Sequence, residues 1–112
     1  MEKLDVSDLD SLPGFITQIE AILKERQIPG IQCLINNAGI SPGLNRFNMV
    51  KPEQMSEAYL TNVIAPLMLS KAICPLMVTA AKTENLTDVK LQHGLIVNMS
   101  SVLGSIAENH GR

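Results

Sequence analysis

Apolar residues are arranged along this chain in two ways, as helical stripes and as short unbroken runs. Leu12, Ile16, Ile19 and Leu23 recur at spacings of four, three and four, and Phe15 and Ile22 widen the stripe. Helix-start residues precede it (Ser7, Asp8, Asp10, Ser11), and Pro13 is tolerated in a first turn. The pattern ends near Gln27, before Pro29-Gly30. Upstream, Leu4-Asp5-Val6-Ser7 reads as the tail of a strand entering a loop. The run Ile31 to Ile35 is opened by Gly30 and closed by Asn36-Asn37-Ala38-Gly39. A run this short, bounded by breakers, predicts a strand buried on both faces of a parallel sheet.

A loop over 40–51 follows, with Pro42, Gly43 and two asparagines. A second helix is predicted from Pro52 to about Ala81, with Glu53 placed to suit the dipole of its first turn. It is apolar on much of its circumference, and Met55, Tyr59, Val63, Leu67, Met68 and Leu69 are expected to be covered. Residues 83–92 are polar and read as an exposed loop. Gly94 to Met99 is the second buried strand, and Ser100 to Gly104 is the loop off its carboxyl end. Ser105 to Arg112 gives no clear signal. The order is strand tail, helix, strand, helix, strand, which makes the class α/β. The last two strands should be parallel and joined by a right-handed crossover. Two strands of buried type need further strands beside them and helices on both faces. The pattern therefore predicts that residues 1–112 are a piece, truncated at both ends, of one larger doubly wound three-layer α/β domain.

Composition narrows the function. At 112 residues the chain is one domain or less, and 46% hydrophobic with 18% charged residues is a globular balance. A net charge of −2 without like-charged blocks, and 3% aromatics, give no footprint for nucleic acid or a membrane surface. No apolar stretch reads as long enough to span a bilayer. Charged residues follow Met1, which is unlike a secretory signal. Cys33 and Cys74 fall in apolar contexts, so both are expected to be small buried hydrophobes in a reduced, cytoplasmic compartment. His93 and His110 have no partners at metal-ligand spacing and read as surface residues.

The candidate chemistry lies at the carboxyl ends of the two strands, where open α/β sheets bind ligands. Asn36 and Asn37 end the first strand, and Ser101 follows the second. Neighbouring parallel strands lie about 4.8 Å apart, so these groups face one crevice. A Ser-Ser pair by itself commonly only caps a turn. Asn62 adds an independent feature. Pro66 has no N–H, so it cannot close the helical bond to the carbonyl of residue 62. That carbonyl becomes an acceptor for water or ligand, unless the proline merely kinks a long helix.

Asn-Asn-Ala-Gly after a strand, Asn62-Val63-x-x-Pro66 in the next helix and Ile96-Val97-Asn98-Met99-Ser100-Ser101-x-x-Gly104 after the next strand resemble the short-chain dehydrogenase/reductase family. The surrounding text, including Ser105-Ile106, is similar to its sniffer-type and C-factor-like carbonyl reductases. The resemblance implies a Rossmann-like sheet that binds NADP or NAD and moves a hydride to or from a small carbonyl or alcohol. It implies that Ser101 is the catalytic serine, and that Asn62 holds a relay water by its main-chain carbonyl. Asn36, Asn37, Ala38 and Gly39 would line the cofactor, and Asp5-Val6 would flank the adenine. It also implies that the long helix can form a subunit interface.

Two family motifs are not found in these residues. The only tyrosine, Tyr59, has Val63 four positions on, so there is no Tyr-x-x-x-Lys pair. No glycine-rich phosphate loop follows a first strand; Gly39 and Gly43 share part of its spacing, but residue 45 is Asn. The chain alone is therefore expected to bind cofactor weakly or not at all, and not to turn over. The alternatives are a non-catalytic chain that pairs with a longer relative through helix 52–81, and a flavodoxin-like or receiver module. The latter needs a phosphate loop or an acidic cluster, and Asp5 stands alone.

Overall fold

A computed structural model describes residues 3–43, 46–81 and 94–108. Helix α1 spans Leu12–Glu25, entered through a 3-10 turn at Leu9–Ser11. Its exit is set by Gln27, whose φ of 53° is left-handed. The Ile28 N–H returns to the Leu23 carbonyl and the Gln27 N–H to that of Lys24, the pairing that usually recruits glycine. Strand β1 (Cys33–Asn36) and strand β2 (Leu95–Asn98) form a parallel two-stranded sheet, with Leu34 opposite Ile96 and Asn36 opposite Asn98.

Between the strands runs one helical rod: α2 (Pro52–Tyr59), a π-turn (Leu60–Ile64) and α3 (Ala65–Ala81). Pro52 occupies the first turn, and the Gln54 side chain accepts the Lys51 N–H at 3.0 Å, which fixes the start. The π-turn lies where the sequence puts Asn62 and Pro66. The Ala65 N–H bonds the Leu60 carbonyl, five residues back. Pro66 can serve neither the Asn62 carbonyl four back nor the Thr61 carbonyl five back. Helix α3 packs on β1 and on α1. Among the described residues the buried apolar side chains are Ala65, Ile73 and Met77, all on α3. Gly94 passes close beside this helix: a Cβ there would lie 2.7 Å from the Met77 Cβ, so residue 94 must be glycine.

Several expectations need correction. Residues 4–7 are not a strand but a turn, closed by the Asp8 N–H on the Asp5 carbonyl. A strand exists through ladder partners, and this segment has none among the described residues. The sheet is covered on the α3 side and largely open on the other. Ile35 is 59% exposed, and its face-mate Leu95 is 43% exposed. Cys33 and Cys74 are exposed as well; Cys33 alternates with buried Asn36 onto the open side of β1. Met55, Tyr59, Val63 and Leu67 face solvent rather than a core. Finally, Pro52–Met77 is a 26-residue helix with an 18-residue stretch of mean hydropathy 1.5, long and apolar enough by length and composition to cross a bilayer. Thr61, Asn62 and Ser70 interrupt its apolar run and hid that length in the sequence. A core helix has the same composition, and here Asn62 and Ser70 bond other parts of the fold. The predicted loop over 83–92, His93 and His110 lie outside the described residues.

Candidate functional site

A cleft of about 840 Å³ opens at the carboxyl ends of β1 and β2. Asn36, Asn37, Ala38 and Gly39 form one wall, Asn62, Pro66 and Ser70 of the helical rod another, and Asn98 to Ser101 a third. Six of the sequence-predicted residues are thus brought together: Asn36, Asn37, Ala38, Gly39, Asn62 and Ser101. The remaining two sit apart from the cleft. Val6 lines a small neighbouring cavity of about 60 Å³ with Asn36, Asn37 and Ala38. Asp5 faces a still smaller one, beside Val6 and Leu12.

Local chemistry explains each placement. Asn36 closes β1, and its carbonyl accepts the Met99 N–H at 3.0 Å, which aligns the two strand ends. After Ser101, a 3-10 turn (Val102–Gly104) begins with the Gly104 N–H on the Ser101 carbonyl. Ser101 itself is extended and exposed, and its hydroxyl does not cap that turn. Asn62 holds the loop after β1 by both ends of its amide. Its Oδ1 accepts the Ile40 N–H at 2.8 Å, and its Nδ2 donates to the Ile40 carbonyl at 2.8 Å. The side chain thus mimics a strand edge and fixes Gly39 and Ile40 against the π-turn. Asp5 is held by Ser7, whose hydroxyl and N–H donate to its carboxylate at 2.7 and 3.0 Å. Those bonds stabilise the charged form and keep the Asp5 pKa below the usual carboxylate value.

Sequence reasoning missed three contributions: the two-point bond of the Asn62 side chain, and the presence of Ser70 and Asn98 in the cleft. Asn98 could have been found by aligning the strand ends, since it stands opposite Asn36. Ser70 follows Asn62 by about two helical turns, which brings it back toward the same face. Among the described lining residues none carries a carboxylate, imidazole or amine. The cleft can orient a neutral polar ligand through amide, hydroxyl and main-chain groups. Among the described residues it holds no group that would transfer a proton near neutral pH.

The chain matches the model of the short chain dehydrogenase family over residues 2–111. An NADP-dependent 3-hydroxy acid dehydrogenase of Schizosaccharomyces pombe is 32% identical over 102 residues, 91% of this chain and 33% of that protein. Among solved structures, carbonyl reductase Sniffer of D. melanogaster superposes with a TM-score of 0.83 at 33% identity, covering 99% of this chain and 44% of that one. An NADPH-bound carbonyl reductase from chicken fatty liver gives 0.77 at 36% identity, over 93% and 38%. The chain spans between 25% and 35% of the length of the curated relatives it matches.

Proposed function

Because this chain belongs to the short-chain dehydrogenase family, we propose that its 112 residues are the central part of a nicotinamide-dependent oxidoreductase domain acting on a small carbonyl or alcohol. One observation carries the reading: Asn36 to Gly39, Asn62 and Ser101 converge on a single cleft at the carboxyl edge of the sheet. The cleft residues fit the nicotinamide end of the cofactor, with neutral donors, acceptors and close backbone at Ala38 and Gly39. They do not include a glycine-rich turn for the phosphates. NADP or NAD would supply or accept the hydride when bound, and the relatives named above favour NADP.

In this reading Asn37, Ala38 and Gly39 line the cofactor, with Asn36 anchoring their strand. Asp5 and Val6 flank its adenine. Ser101 donates a hydrogen bond to the substrate oxygen, where negative charge develops during reduction. Asn62 acts twice. Its side chain holds Ile40 in place, and its main-chain carbonyl, which Pro66 cannot serve, accepts a hydrogen bond from a relay water. A general acid must come from outside the described cleft residues, and the chain has no Tyr-x-x-x-Lys pair to supply it, so in this reading the 112 residues alone do not turn over. A hybrid in which this chain replaces the matched segment of the Sniffer carbonyl reductase tests the reading. The hybrid should oxidise NADPH with a carbonyl substrate, and Ser101→Ala should lower its kcat by roughly 10²–10³-fold, the range for loss of one donor to a developing oxyanion. A folded hybrid whose kcat is unchanged by that substitution would refute the role of Ser101.

A second reading rests on the exposed stripe Met55, Tyr59, Val63 and Leu67. Here the chain is a non-catalytic partner that pairs with a longer relative, or with a second copy, through helix 52–81. Sedimentation across a concentration series checks it. Association abolished by Met55→Glu supports pairing, and a monomer at every concentration argues against it.

A further inference from the structure

Asn36 is tied from two sides. Its Nδ2 donates to Ser70 Oγ on α3 at 3.1 Å and to Asn98 Oδ1 at the end of β2 at 2.8 Å. A side-chain amide nitrogen carries two hydrogens, so both are committed. Asn36 is nearly buried, at 9% exposure. Asn98, by contrast, is exposed and lines the cleft. The bond from Asn36 occupies the Asn98 oxygen and leaves the Asn98 Nδ2 as a donor at the cleft wall.

We propose that Ser70 is a positioning residue that acts through Asn36 to hold the Asn98 amide with its donor toward the cleft, where it meets an acceptor oxygen of the ligand. The terminal torsion of an asparagine is broad, so one hydrogen bond does not fix the amide plane. Two bonds at a wide angle do. Ser70 supplies the second, from a helix that is itself packed on β1. With the hydroxyl removed, the Asn36 Nδ2 keeps only the exposed Asn98 as a partner, and both amides are free to turn together. What this does for a ligand rests on the functional reading above; the relay of Ser70, Asn36 and Asn98 does not.

The test is the side-chain amide spectrum of the full ¹⁵N-labelled chain, as wild type, Ser70→Ala and Ser70→Thr. In the wild type the Asn36 Nδ2 hydrogens should exchange about tenfold slower than those of exposed Asn48. Ser70→Ala should move one Asn36 hydrogen to a free-amide position and shift the Asn98 pair with it, leaving the backbone signals of α1 in place. Ser70→Thr, which keeps a hydroxyl, should restore both. Unchanged Asn36 and Asn98 side-chain signals in folded Ser70→Ala would overturn the proposal, and so would loss of the wild-type pattern in Ser70→Thr. If Ser70→Ala does not fold, the wild-type exchange rate decides, and Asn36 exchanging as fast as Asn48 overturns it. A failed NADPH assay leaves each of these outcomes intact, so the two readings fail separately.

Discussion

On the side of the long helix that meets the sheet and α1, Thr61, Ala65, Ile73 and Met77 are buried at intervals of four or eight residues. Met55, Tyr59, Val63 and Leu67 recur just as regularly and stay exposed, Val63 and Leu67 along the wall of the cleft. The two stripes are similarly apolar, so hydropathy does not distinguish them. Their polar neighbours do. Asn62 and Ser70 find partners on the loop after β1 and on Asn36, and these bonds turn the helix toward the sheet and build the cleft. Apolar residues say that a helix has a face to cover, whereas partnered polar residues say which face and against what.

The largest effect should separate the two stripes by stability. Ile73, 2% exposed, should cost about 2–5 kcal/mol on replacement by alanine, the usual range for emptying a core site. Leu67, 66% exposed, should change stability by no more than about 0.5 kcal/mol in Leu67→Ala. Urea denaturation of both variants gives the comparison. Equal costs would mean that the outer stripe is covered too.

Asn62→Ala should have a middle-sized effect. It removes two exposed hydrogen bonds, together about 1–3 kcal/mol at the net value of each. Hydrogen exchange at Ile40 should then quicken well before that of β1. Equal acceleration in both would mean that the asparagine supports the whole sheet rather than the loop.

The smallest effect lies far from the cleft. Ser7→Ala removes the hydroxyl donor to Asp5, so the Asp5 pKa should rise toward the ordinary carboxylate value, as read by NMR titration. The sign follows from the lowered folded pKa. The Ser7–Asp5 turn contributes stability above the unfolded Asp value of about 3.9 and loses it as pH falls through the lower folded value. The variant should flatten that acid-side slope.

Much of this molecule was legible in its sequence. The two strands, the helix from Pro52 to Ala81 and the break at Asn62 and Pro66 were read from apolar runs, breakers and a missing N–H, all of which act locally. The convergence of Asn36 to Gly39 with Ser101 followed from strand order. Burial did not follow, because it depends on neighbours that no local pattern contains. Ile35 and Cys33 have the composition of a strand covered on both faces, and yet they lie on an open one. Leu4 to Ser7 has strand-like residues without a strand beside it. The ties of Asn62 to Ile40 and of Ser70 to Asn36 join residues 22 and 34 positions apart, and no spacing rule reaches that far.

The central claim is that this cleft is where the nicotinamide and the substrate oxygen meet. A crystal structure of the Sniffer hybrid with NADP and an alcohol bound tests it most directly. The account predicts the nicotinamide end against Asn37 to Gly39, and the Ser101 hydroxyl within about 3.2 Å of the alcohol oxygen. A cofactor seated away from that wall, or a Ser101 turned from the substrate, would contradict it.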